Sequence, residues 1–79
     1  MSNVTPDPYE ALANAIILQA VKDYRDANKK LRKGRKNSSA EDMKNQCLRF
    51  FRSDFFGVLT DLDPEFLIRK LEEENANDS

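Results

Sequence analysis

The chain contains no histidine, no tryptophan, a single cysteine, two glycines and three prolines in 79 residues. Each scarcity closes a class of explanation. One cysteine, Cys47, cannot form an internal disulfide, and without histidine a usual zinc site or a Cys-His nucleophile cannot be assembled. A lone thiol fits a reducing compartment. No apolar run approaches the roughly 20 residues needed to span a bilayer; the longest is Ala15 to Leu18. Met1 to Pro8 has neither the basic start nor the apolar centre of a signal peptide, so a cytoplasmic protein with no membrane partner is expected. The formal net charge is −1, which removes any bulk electrostatic case for nucleic acid or anionic lipid.

One small domain, residues 1–79, is all that this length allows. Chains near this size bury only about 60 % of their unfolded surface, so stability is marginal unless a staple or a partner adds burial. The expected fold is all-α, a long N-terminal helix packed against two or three shorter helices. Strands are not expected, because sustained alternation and Asn-Gly or Asp-Gly turns are missing.

Helix 1 is expected to start at Asp7 and run to about Lys33. Asp7 can cap, Pro8 suits the first helical position and Glu10 completes a capping box. The stripe Tyr9, Ala13, Ile16, Ala20, Tyr24, Ala27, Leu31 has helical spacing. Gly34 is a natural stop, and Gly34 to Ser38 reads as a linker. Ser39 is expected to cap helix 2, with Ala40, Met43, Cys47 and Phe50 or Phe51 turned inward. Ser53-Asp54 looks like a further cap, opening a short helix from Asp54 to about Thr60 that buries Phe55, Val58 and Leu59. Asp63 and Pro64 start helix 4, with Leu62 and Leu67 as a hydrophobic staple and Phe66, Leu67, Ile68 and Leu71 as the buried face. Fraying is expected through Glu73 to Ala76, and disorder over residues 1–6 and 75–79.

Length sets up a mismatch. A helix 1 of about 26 residues is roughly 39 Å long, and helices 2 and 4 are about half that. Its first half carries Leu12, Ile17, Leu18 and Val21 off the main stripe. A helix apolar around much of its girth wants cover on more than one side. Self-association through Leu12, Ile17, Leu18 and Val21, as a dimer or other homo-oligomer, is therefore expected. Phe50, Phe51, Phe55, Phe56 and Phe66 are many for so small a core. Each adjacent pair cannot point one way on a helix, so Phe51 or Phe56 is expected at a protein-partner surface.

Charge is unevenly spread. Arg25, Lys29, Lys30, Arg32, Lys33, Arg35 and Lys36 stand against one acid, Asp26, within residues 25–36. This run offers phosphate contacts for nucleic acid, although in a net-acidic chain a solvated helix end complementing the dipole and the acidic tail is the simpler account. No aromatic interleaves it for base stacking. Helices 2 to 4 could imitate a helix-turn-helix, but helix 4 presents Glu65 and Phe66 where a reading helix offers Arg, Lys, Asn or Gln. Asp54, Asp61, Asp63 and Glu65 lack the spacing of a calcium loop. No catalytic set, metal site or cofactor is therefore expected.

Ala15 to Arg25, then Arg49-Phe50-Phe51-Arg52-Ser53-Asp54-Phe55-Phe56 and Leu59 to Leu71, resemble a family of short open reading frames of phages, prophages and mobile elements of Gram-positive bacteria. The resemblance covers about two thirds of the chain. It implies a setting in which small proteins act by binding macromolecules, and it implies no mechanism and no functional residues.

Overall fold

The computed structural model of the chain describes residues 7–34 and 36–77. They form four helices: α1 (Pro8–Leu31), α2 (Ser38–Phe51), α3 (Asp54–Leu59) and α4 (Pro64–Asn77). No strand occurs among the described residues. Residues 1–6, 35, 78 and 79 lie outside the description, and with them the disorder expected for 1–6 and 78–79.

Asp7 caps α1, its Oδ1 accepting from the Tyr9 amide at 3.0 Å, and Pro8 follows at the first position. The helix stops at Leu31, two residues short of the expected end. Arg32 and Lys33 complete a final turn, donating to the Asn28 and Lys30 carbonyls at 3.0 and 3.3 Å. Gly34 then takes φ +77°, the left-handed conformation that an L side chain resists. Asn37, not Ser39, caps α2; its Oδ1 accepts from the Ala40 amide at 3.0 Å. The helix thus starts two residues earlier than expected, and Ala40, Cys47 and Phe51 lie along one face of α2, all three buried. Ser53 caps α3 through the Phe56 amide at 3.3 Å, and Asp63 caps α4 through the Glu65 amide at 3.0 Å.

The core is Val21 and Tyr24 of α1, Cys47 and Phe51 of α2, Phe56 of α3, and Ile68 and Leu71 of α4. Phe51 packs its ring 5.8 Å from Phe56 and 6.0 Å from Tyr24, and Phe50 meets Phe56 edge-on at 5.7 Å. Several expected burials fall elsewhere. On α3 the buried ring is Phe56, while Phe55 is 53 % and Val58 80 % exposed. The bend at Ser53 re-aims the chain, so the face that meets the core is one residue removed from the expected one. Phe51 and Phe56, expected at a partner surface, are instead the innermost rings. Tyr9, Met43, Leu62 and Phe66, expected inward, are all exposed. Helix α4 continues to Asn77 where fraying and then disorder were expected, because its last two turns are tied to α1.

At 1.5 Å per residue α1 is about 36 Å long and α2 and α4 about 21 Å each. Helix α2 runs antiparallel to α1: Ala40 lies beside Ala27 and Lys30, and Phe50 beside Ile16 and Ala20. Helix α4 runs parallel to it, Glu72 meeting Tyr24 and Asn28, and Asn75 meeting Arg32. Both therefore sit beside the C-terminal part of α1. The first turns, from Pro8 to about Ala15, project past the end of α2.

Candidate functional site: an apolar strip and groove along α1

The projecting turns carry Tyr9, 81 % exposed, and Leu12, 60 % exposed. With Ile16 they lie three and four residues apart, on one side of α1. The same side continues into a groove between α1 and α2. Ile16, Ala20 and Asp23 form one wall, and Met43, Cys47 and Phe50 the other, around a volume of about 220 Å³. Ile16 belongs to both features, so the exposed strip runs unbroken into the groove. The rim is extended by α3, where the Phe55 ring lies 6.2 Å from that of Phe50. Gln19, Asp23 and Gln46 are the polar members, the first two joined by a 3.0 Å hydrogen bond from Gln19 Nε2 to Asp23 Oδ1.

The residues expected to self-associate do not form one surface. Val21 is in the core and Ile17 packs against it. Leu18 is 66 % exposed but stands roughly 160° round the helix from the Tyr9-Leu12-Ile16 strip. Only Leu12 belongs to the strip. The strip is legible in the sequence as Tyr9, Leu12 and Ile16, three and four residues apart, but its exposure is not, because spacing alone does not say how far a packed neighbour extends along that side of α1.

A polar cluster ties the opposite end together. The Tyr24 hydroxyl donates to Glu72 Oε2, which Lys44 Nζ approaches at 3.3 Å and Asn28 Nδ2 at 3.4 Å. Three helices thus meet on one carboxylate oxygen. Burial pushes the Glu72 carboxyl up, but the hydrogen bonds from Tyr24, Lys44 and Asn28 and the Lys44 charge outweigh it, and the net shift is downward. The Tyr24 phenol is driven well above its ordinary value, by burial first and then by Glu72. The Cys47 thiol is also raised, by burial and then by Asp23, the reverse of an activated nucleophile. Among the described residues no group of three or more His, Cys, Asp or Glu side chains is arranged to hold a metal ion. The Glu72 cluster joins α1, α2 and α4.

The basic run is divided by α4. Arg25 forks onto Glu74 at 3.0 and 2.7 Å, holding that carboxyl below its ordinary value, and Arg32 donates to Asn75. Lys29, Lys30, Lys33 and Lys36 are exposed, and Arg35 lies outside the described residues. No helix of the described chain is long and apolar enough to cross a membrane. Comparison with the models of protein families, with curated proteins and with solved structures finds no match to any of them.

Proposed function

We propose that this chain is a non-enzymatic helical interaction module that binds protein, and associates with itself, through the apolar strip of α1 and the groove behind it. The observation that carries this reading is the overhang: Tyr9 and Leu12 stand exposed on turns that project past the end of α2, in line with an open groove. A chain this small gains stability from every apolar surface it covers, so a contiguous uncovered one supports a partner. The resemblance of Arg49 to Phe56 to short phage and mobile-element proteins supports the same kind of role, and the lone buried thiol of Cys47 fits a cytoplasmic setting. Sedimentation equilibrium at micromolar concentration, together with capture of protein partners by the wild-type chain and by Leu12→Glu after nuclease treatment, tests it. Self-association or protein capture that Leu12→Glu abolishes is the expected result. A monomer whose captured proteins are unchanged by Leu12→Glu would overturn it.

A second reading rests on Lys29, Lys30, Lys33 and Lys36, exposed lysines near the α1–α2 turn, which offer phosphate contacts for an accessory nucleic-acid-binding role. Binding at about 50 mM salt that weakens steeply as salt rises, and that charge reversal at Lys33 and Lys36 reduces, is what this reading requires.

A further inference from the structure

We infer that the occupant of the groove is a second copy of this chain, bound antiparallel about a two-fold axis at Ile16. The inference rests on the protein-binding reading above and specifies its partner and geometry. An isologous interface needs a surface that is its own complement. This face has that property. Tyr9 lies seven residues before Ile16 and Asp23 seven after, about 10 Å each way along the helix. The half before Ile16 is a projecting ridge, and the half after it is the groove wall.

Rotation about Ile16 therefore lays each copy's ridge into the other's groove. Ile16 meets Ile16. Leu12, a large side chain, comes opposite Ala20, a small one, the alternation that close helix packing favours. The Tyr9 hydroxyl comes opposite the Asp23 carboxylate, a donor against an acceptor. Met43 and Phe50 on α2 close over the inserted turns from the other wall. No pair of like charges is brought together along the strip, since Asp23 is its one charged residue.

Area limits the strength of this arrangement. The face is one helix wide, about 10 Å, along the roughly 36 Å of α1, and gains a second helix only over the roughly 21 Å of α2, on the order of 570 Å². A standard stable interface uses roughly 800 Å² per partner, so the dimer is expected to be weak and reversible. The product is a four-helix assembly in which α1 and α2 of each copy form one hairpin layer.

The test combines sedimentation equilibrium of the full chain with short bis-maleimide cross-linking of single-cysteine variants in a Cys47→Ala background, folding being checked by circular dichroism. The expected result is a dimer in which Ile16→Cys cross-links in high yield and Leu18→Cys does not, with Leu12→Glu raising the dissociation constant at least tenfold. A dimer in which Leu18→Cys cross-links and Ile16→Cys does not would overturn this geometry while leaving self-association intact. A chain that stays monomeric to about 200 μM, yet captures another protein in a Leu12-dependent manner, would overturn the second-copy partner and leave the binding reading standing. If Cys47→Ala unfolds the chain, the Leu12→Glu comparison in the native background decides: an unchanged dimer rejects the face.

Discussion

The two halves of α1 are built from similar material and meet opposite fates. Residues Tyr9 to Leu18 include Tyr9, Leu12, Ile16, Ile17 and Leu18; residues Val21 to Leu31 offer Val21, Tyr24 and Leu31 as large apolar groups. The half richer in apolar residues is the less covered one. Hydrophobicity determines which surface gains from cover, but the lengths of α2 and α4 determine how far cover extends. Polar anchors then fix where those helices sit. Glu72, Glu74 and Asn75 of α4 reach Tyr24, Arg25 and Asn28 in the second half and Arg32 just past its end. They hold α4 at that end even though more apolar surface lies at the other.

The sharpest way to break the contrast is to empty the covered half. Phe51 is fully buried between Tyr24 and Phe56, so Phe51→Ala removes the ring on which three helices converge. The expected loss is about 3–5 kcal/mol of folding stability, a large fraction of what so small a domain holds. Urea denaturation followed by far-UV circular dichroism measures it. Stability unchanged by this substitution would mean that the aromatic cluster is not the centre of the fold.

The next effect probes the anchor. Glu72→Ala leaves the Tyr24 hydroxyl and Lys44 without their shared acceptor and is expected to cost about 1–3 kcal/mol. The carboxyl also makes stability depend on pH. Its proton is held less tightly in the folded chain than in the unfolded one, so unfolding in acid takes up a proton. Stability from this group is fully present above the ordinary carboxyl value of 4.5 and is lost as pH falls through the lower folded value. Glu74, lowered by Arg25, adds a slope of the same sign from a solvent-screened position. Thermal melts between pH 7 and pH 3 should show the fall, and Glu72→Gln should flatten it. A wild-type slope that Glu72→Gln leaves unaltered would show that the cluster carries no linkage.

How much of this was legible beforehand follows from the same contrast. Helix class and starts were readable because Asp7, Ser53 and Asp63 act through local bonds to amides two or three residues away. The choice of Asn37 over Ser39 was not, since both residue types cap well and Ala40 faces inward from either start. Phe51 and Phe56 were misassigned because adjacent rings are distinguished only by the bend between α2 and α3. The Glu72 junction had no local signal, as Tyr24 and Asn28 lie 48 and 44 residues away in sequence and Lys44 is on another helix. The strip Tyr9-Leu12-Ile16 was visible as a pattern but not as a free surface, because coverage depends on where α2 ends.

A smaller effect separates the turn from the packing on either side. Gly34 holds φ +77°, and a Cβ there would meet no atom within 4 Å. Gly34→Ala therefore tests backbone conformation alone, and a cost of about 1 kcal/mol is expected. A neutral result in chemical denaturation would mean that the α1–α2 turn relaxes without disturbing the register that places the groove.

The smallest expected effect is the most discriminating for the exposed half. Leu18 and Leu12 are both on α1, both about two-thirds exposed, and both leucine. A binding surface defined merely by exposed apolar side chains would treat them alike. Leu12 belongs to the strip that enters the groove, whereas Leu18 projects from the far side of the helix, roughly 160° away. Leu18→Glu is therefore expected to change folding stability by less than about 0.5 kcal/mol and to leave association unaltered. Leu12→Glu should match it in stability, measured at concentrations where the chain is monomeric, and differ in association. Paired urea titrations and sedimentation runs on the two variants make the comparison. Equal loss of association in both would show that the whole girth of the projecting turns is used and that no single face has been selected.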